Sequence, residues 1–109
     1  MPGKIKIREI RHELAGEAQG ASPIPLAYWE GLRSAWYFID ASQVINEAGE
    51  MNPYSQLFIV ISGKGKAIIA DEELDLQSRR AFYIPPNAVH QLRAEELVEL
   101  IWLAWDAPI

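Results

Sequence analysis

Few side chains in this 109-residue sequence are suited to acid–base or metal chemistry. It contains no cysteine, which excludes disulfides, thiolate metal sites and cysteine nucleophiles. Of its two histidines, His12 lies between Arg11 and Glu13 and is expected to be solvated, whereas His90 follows a Pro-Pro-Asn turn signal. An imidazole can donate, accept or transfer a proton near neutral pH. Because His90 is the only credible base in the sequence, no Ser-His-Asp triad can be argued.

Composition and charge restrict the kinds of partner. Half of the residues are hydrophobic and four are Trp, which suffices for one well-filled core in a chain of this length. The net charge of −5 opposes the positive field that a phosphate backbone requires, so we expect no direct binding to nucleic acid. Residues 1–11 alternate charged and apolar side chains, which predicts neither a signal peptide nor a membrane span. Together with the lack of cysteine, this favours a cytoplasmic protein.

Short apolar segments separated by turn signals recur along the chain. Residues 57–61 and 67–70 flank a glycine turn at 62–65 and are expected to form a hairpin. Residues 81–84 are expected to form a strand that two prolines end, and residues 97–105 a long closing strand. Strands at turn spacings of roughly eight to twelve residues, without a convincing amphipathic helix, predict an all-β sandwich or barrel.

The sequence is expected to form a single domain, residues 1–109, with a short first part that does not belong to the barrel. Residues 1–25 are interpreted as an N-terminal arm and connector, because Pro23 and Pro25 disfavour both a helix and a central strand there. Residues 26–109 are interpreted as the barrel.

The closing strand has two apolar faces. One face carries Val98, Leu100, Trp102 and Ala104, and the other carries Ile101, Leu103 and Trp105 together with Glu99. A small barrel has one interior, so the second apolar face needs a cover. A partner subunit would supply it, which predicts a homodimer; the alternative is a second layer formed by the N-terminal arm.

Two segments resemble the sequence motifs of the cupin superfamily. The first is LFIVISGKG at residues 57–65, and the second is AFYIPPNAVH at residues 81–90. The resemblance extends over residues 49–105 and implies a cupin jelly-roll barrel, also called a double-stranded β-helix, that is usually dimeric.

The resemblance also implies where a site would lie. The first cupin motif normally holds two His and a Glu, and the second normally ends in a metal-ligating His. His90 matches the last of these, Gln56 stands at the Glu position when counted back from Gly63, and Glu50 and Asn52 fall near the paired His. A single imidazole with amide oxygens holds a transition metal poorly. We therefore expect no metal ligands and no cofactor, although a weakly bound divalent metal is left open.

Aromatic side chains are expected to line the barrel mouth beside these polar residues. An apolar pocket with a few polar groups is typical of a site for a small organic molecule, and His90 and Gln56 would be its main polar contacts. The aromatic candidates are Trp36, Phe38, Tyr54, Tyr83 and Trp102.

A closer resemblance concerns function. The Pro-Pro-Asn step at residues 85–87 and the segment at residues 99–105 look like those of the effector-binding and dimerisation domain of AraC-type transcription regulators. Such domains are metal-free cupin barrels that bind a small molecule. This resemblance implies a sensor-like domain with no catalytic residue. One alternative is a small cupin enzyme of the isomerase or dioxygenase type, which would use His90 and Glu50 with or without a metal; another is a structural dimer module without a ligand.

Overall fold

The computed structural model describes residues 9–11, 23–29, 32–46 and 53–106. These residues form nine strands and no helix, which confirms the all-β prediction. The described part of the chain therefore holds no helix with the length and apolar character to cross a membrane. The strands are β1 (Pro23–Trp29), β2 (Leu32–Ile39), β3 (Val44–Ile45), β4 (Ser55–Ser62), β5 (Gly65–Ile69), β6 (Glu72–Leu76), β7 (Ala81–Ile84), β8 (His90–Ala94) and β9 (Val98–Trp105).

The strands form two antiparallel sheets that face each other. A five-stranded sheet has the order β1-β2-β9-β4-β7, and a four-stranded sheet has the order β3-β8-β5-β6. Buried apolar side chains from both sheets, such as Phe58 and Leu100 of the first and Leu92 of the second, form one cluster between them. This arrangement is the jelly-roll barrel that the sequence resemblance implied.

Strand β9 shows the two-faced pattern that the sequence predicted. Val98 and Leu100 are fully buried in the barrel, whereas Ile101, Leu103 and Trp105 are half-buried on the outer face. The strand lies between β2 and β4, so its inner side chains are flanked by inner side chains of both neighbouring strands. The outer face of the sheet is therefore apolar over its centre.

The N-terminal segment covers one part of this outer face. Ile10 and Trp36 pack against the buried side chains of Ile24 and Phe38, on β1 and β2. The alternative cover, the N-terminal arm, thus contributes Ile10 on the β1 side of the sheet. A cover from a partner subunit over the half-buried residues of β9 remains a prediction.

The glycine turn does not make a hairpin, so that prediction was wrong. Strand β4 pairs with β7 and β9, whereas β5 pairs with β6 and β8, so the turn carries the chain from one sheet to the other. Gly63 has a φ of +105°, and a Cβ atom there would lie 2.2 Å from the carbonyl oxygen of Leu97. A Cβ atom on Gly65 would lie 2.2 Å from the carbonyl oxygen of Arg93. Glycine is required here because backbone segments approach too closely for any side chain. We call residues 63–65 the glycine corner.

Two strands went unpredicted. Strand β1 begins at Pro23, inside the segment interpreted as a connector, and lies at the edge of its sheet. Proline has no N–H to donate, and an edge strand tolerates it because one side of the strand needs no partner. Strand β8 begins at His90 and follows the proline turn closely, which places the imidazole at the first position of a central strand.

Candidate functional site

Gln56 lies on the inner face of β4, near the start of the strand. Its neighbours across the sheet are Ala104 of β9 and Ile84 of β7. The alternation along β4 places Gln56 on the same side as Phe58, which belongs to the core, and Gln56 is only 3% exposed. A polar side chain is therefore enclosed at the end of an apolar interior.

The orientation of the Gln56 amide is set by Trp102. The indole Nε1 of Trp102 donates a hydrogen bond of 2.9 Å to Oε1 of Gln56. Because an indole N–H can only donate, the amide oxygen must face it, and the amide nitrogen faces the other way. Nε2 is buried, and no described residue accepts a hydrogen bond from it. The two amide protons thus point at a place where the described residues supply no acceptor.

Among the described residues, His90 is the second buried polar side chain on the inner face of the barrel, with 5% of its surface exposed. Its Nδ1 lies 3.4 Å from the carbonyl oxygen of Ala88, and its Nε2 lies 3.5 Å from Nδ2 of Asn46. The carbonyl can only accept and the amide nitrogen can only donate, so the geometry indicates a neutral ring with its proton on Nδ1. Both contacts are long, so the ring is weakly held.

Burial lowers the pKa of His90 below its ordinary value of 6.5, and the nearby carbonyl of Ala88 offsets this only in part. The imidazole is therefore neutral at neutral pH, with its lone pair on Nε2. Asn46 also donates a 2.9 Å hydrogen bond to the backbone carbonyl of His90, which ties the start of β8 to the end of β3. Asn46 has a φ of +56°, a conformation that asparagine adopts more readily than most residues.

Phe58 brings the two polar residues into one region. It follows Gln56 by two positions on the same inner face, and its ring centroid lies 6.2 Å from that of His90. Gln56 belongs to the five-stranded sheet and His90 to the four-stranded sheet, so the site lies between the sheets. We call this region, formed by Gln56, Phe58, His90, Trp102 and Asn46, the polar end of the barrel.

Tyr54 lies beside the polar end, where it contacts a residue that the sequence reasoning missed. The guanidinium carbon of Arg33 lies 4.4 Å from the centroid of the Tyr54 ring. Arg33 pairs with Ala104, which in turn pairs with Gln56. Neither Arg33 nor Asn46 carries a sequence signal of its own, because each is brought to the site by strand pairing.

Trp36 and Phe38 were expected to line the site, but they lie on the outer face of the five-stranded sheet. The indole Nε1 of Trp36 donates a 2.8 Å hydrogen bond to Oε2 of Glu99, and Phe38 packs against Ile24. In β2 it is Tyr37 and Ile39 that contact the barrel core. The structure therefore does not bring these two aromatic residues together with Gln56, because they occupy the other set of alternating positions.

Tyr83 also lies on the outer face. Its hydroxyl is 3.2 Å from Oγ of Ser55, and its ring centroid is 6.4 Å from that of Trp105. With 40% of its surface exposed, Tyr83 does not line the barrel interior. The inner positions of β7 belong to Phe82 and Ile84 instead.

Glu50 and Asn52 lie outside the described residues, so their place in the site stays a prediction. Among the residues that the structure does describe, no three His, Cys, Asp or Glu side chains group closely enough to hold a metal ion. The polar groups at the polar end are one imidazole, the amide of Asn46, and the Gln56 amide, whose oxygen already accepts from Trp102. This set of donors does not fit the transition metals that cupin motifs commonly bind.

A separate groove of about 520 Å³ lies at the opposite end of the barrel, beside the glycine corner. It is lined by glycine backbone and by polar side chains of the neighbouring turns, and it contains none of the predicted site residues. Its lining includes Lys64, Asp75, Gln77, Ser78 and Glu95.

Comparison with known proteins agrees with this architecture. A family model described as the cupin domain matches residues 43–106. This match covers more than half of the chain, which therefore belongs to the cupin family. No curated protein matches the chain significantly.

Several solved structures share the fold. The plu4264 protein from Photorhabdus luminescens is 21% identical, with a TM-score of 0.79 over 94% of this chain and 89% of that one. A Cupin 2 conserved barrel domain protein from Salinispora arenicola is 16% identical, with a TM-score of 0.79 over 96% of this chain and 92% of that one. Salicylate 1,2-dioxygenase from Pseudoaminobacter salicylatoxidans is 21% identical, with a TM-score of 0.71 over 83% of this chain and 26% of that one. At these identities the likeness shows the fold alone.

Proposed function

We propose that this cupin domain binds a small organic molecule at the polar end of its barrel, without a metal. The observation that carries the proposal is the amide nitrogen of Gln56, which is buried with no acceptor among the described residues. Leaving a buried donor unpaired costs about 1–3 kcal/mol. A ligand oxygen that accepts from Nε2 would remove this cost, so the free domain is poised for such a ligand.

The surroundings of Gln56 suit an organic ligand. Across the sheet, the row next to Gln56 contains Ala35, Trp102 and Phe58, so aromatic surface lies beside the polar group. Ala104, next to Gln56 in its own row, has a small side chain. An apolar floor with one oriented donor is typical of small-molecule sites.

The proposal includes a sensor-like role in a homodimer. The half-buried outer residues Ile101, Leu103 and Trp105 would be covered by a second copy of the chain, as the sequence resemblance to AraC-type effector domains implies. A ligand at the polar end would contact Trp102, which lies on the same strand as this outer face. Occupancy could thus be transmitted to a partner through β9.

A second candidate function is that of a metal-independent enzyme with His90 as its base. The supporting observation is the neutral imidazole in the barrel interior, since burial lowers its pKa and leaves Nε2 as an acceptor at neutral pH. A general base needs this protonation state. The two candidates differ in one result, because an enzyme changes the bound molecule and a sensor returns it unchanged.

The test is a thermal-shift screen of small organic molecules against the wild-type protein and Gln56→Leu. We expect compounds with an acceptor oxygen to raise the melting temperature of the wild type and to have little effect on Gln56→Leu. Gln77→Leu, at an exposed position, is the control and should respond as the wild type does. Compounds that stabilise Gln56→Leu as strongly as the wild type would contradict the proposed site.

Mass spectrometry of the compounds after incubation separates the two candidates. Recovery of an unchanged compound supports the sensor. A product that forms with the wild type and is lost with His90→Gln would establish the enzyme instead.

A further inference from the structure

The polar end has a positive charge at its edge. Arg33 of β2, Ala104 of β9 and Gln56 of β4 are directly paired neighbours across three strands. Side chains at directly paired positions lie on the same face of a sheet. Arg33 therefore shares the inner face with Gln56, and the small side chain of Ala104 stands between them.

Arg33 is held in place by an aromatic ring. Its guanidinium carbon lies 4.4 Å from the ring centroid of Tyr54, a residue two positions before Gln56. Stacking on an aromatic face leaves the N–H groups at the edge of the guanidinium free to donate. None of the described carboxylates forms an ion pair with Arg33, whereas Lys66 on the four-stranded sheet pairs with Asp75 and Glu73. Arg33 is exposed, so a ligand can reach it.

The spacing between the two groups limits the ligand. Adjacent strands lie about 4.8 Å apart, so the backbones at Arg33 and Gln56 are roughly 10 Å apart, with Ala104 between them on the same face. A molecule of a few carbon atoms can contact both. Arginine favours a carboxylate, which it binds through two parallel hydrogen bonds. The Gln56 amide nitrogen favours a carbonyl or hydroxyl oxygen, because it can only donate.

We propose that the ligand is a small organic acid whose carboxylate binds Arg33 and whose second oxygen, a carbonyl or hydroxyl, accepts a hydrogen bond from Nε2 of Gln56. This inference rests on the proposed function and specifies its ligand class. The net charge of −5 would repel anions in general, so selectivity for an acid depends on the local charge of Arg33.

The test uses two acids and their uncharged counterparts. The probes are 4-oxopentanoate and 4-hydroxybenzoate, each compared with its methyl ester. Binding is followed through the indole N–H resonance of Trp102, because this group donates to Gln56 and should shift when Nε2 gains an acceptor. We expect at least one acid to shift this resonance, with its ester binding about tenfold or more weakly.

Substitutions at Arg33 provide the second part of the test. Arg33→Gln should weaken acid binding about tenfold or more, and Arg33→Lys should weaken it less, because lysine keeps the charge but loses the planar pair of donors. Arg93→Gln, at an exposed position whose strand neighbours are Lys66 and Val44, is the matched control and should bind the acids as the wild type does.

The outcomes of these experiments separate the acid inference from the proposed function. If the esters bind as tightly as the acids, or if Arg33→Gln behaves like Arg93→Gln, the acid inference is wrong while binding at Gln56 stands. If neither acids nor esters shift the Trp102 resonance at millimolar concentration, the acid inference is also overturned. The thermal-shift screen with Gln56→Leu then decides the proposed function separately.

Discussion

The barrel interior beside the glycine corner contrasts with its polar end. Near the corner, Leu76, Val98 and Leu100 are 1% exposed or less and carry no polar side-chain atoms. At the polar end, Gln56 and His90 are almost as deeply buried, at 3% and 5% exposed. Among the residues that the structure describes, the amide nitrogen of Gln56 has no hydrogen-bond partner, and the ring nitrogens of His90 make only long polar contacts.

The difference separates residues that stabilise the fold from residues that cost stability. Apolar side chains near the corner gain from burial without any polar group to satisfy. Buried polar groups without full partners are rare in native proteins, and those that occur need an explanation. Local departures from the best packing are expected where function requires them. The polar end is therefore the part of the interior where a ligand is expected.

The largest predicted effect concerns the apolar side of this comparison. Leu100→Ala should lower the free energy of unfolding by about 2–5 kcal/mol, because it leaves a cavity in a fully buried region. Leu103→Ala, on the same strand but half-buried on the outer face, is the matched control and should cost less. Urea unfolding monitored by Trp fluorescence measures both. Equal losses at the two positions would contradict the contrast between the inner and outer faces of β9.

A smaller effect is predicted at the polar end. Gln56→Met removes the unpaired amide nitrogen but takes the acceptor from the indole N–H of Trp102, so the two effects oppose each other and the free energy of unfolding should change by no more than about 1 kcal/mol. Adding Trp102→Phe removes that unpaired donor. The double variant should therefore be less destabilised than the sum of the single variants, with a coupling of about 1 kcal/mol. Additive losses in the same urea assay would show that this hydrogen bond does not orient the amide.

The smallest predicted effect is a dependence on pH. Burial lowers the pKa of His90 in the folded protein, so the unfolded chain binds more protons between that lowered pKa and the ordinary value of 6.5. The contribution of His90 to stability is full above pH 6.5 and is lost as the pH falls through the folded pKa. An NMR titration should place the midpoint for the His90 ring below 6.5.

His90→Gln provides the control for this effect, because glutamine does not titrate. Its stability should fall less steeply than that of the wild type as the pH drops below 6.5. A ring midpoint at or above 6.5, or identical slopes in both proteins, would contradict the conclusion that burial dominates the titration of the imidazole.

The strands around the polar end were predictable from local pattern. The apolar run before the glycine corner became most of β4, and the apolar segment before the two prolines became β7. His90 and Gln56 were both selected from their positions in the cupin motifs, and both are buried in the barrel. The predicted division of β9 into two faces was also correct, because the period of two can be recognised from the sequence of a strand.

The partners of these residues were not predictable. Arg33 reaches the row of Gln56 through pairing between β2, β9 and β4, and residues 33 and 56 are far apart in sequence. Asn46 reaches His90 through the pairing of β3 with β8. Such contacts depend on the order of strands in a sheet, and the residues adjacent in sequence do not indicate that order.

Local sequence by itself determined most of the strand segments and the turn at residues 62–65, and the motif resemblance selected Gln56 and His90, the two polar residues that enter the barrel. Only the tertiary structure decided that the glycine corner joins two sheets, and that Trp36, Phe38 and Tyr83 face outward. The physical reason is the period of two in a strand, which divides side chains into two sets without saying which set is covered. Packing of the second sheet against one face makes that choice.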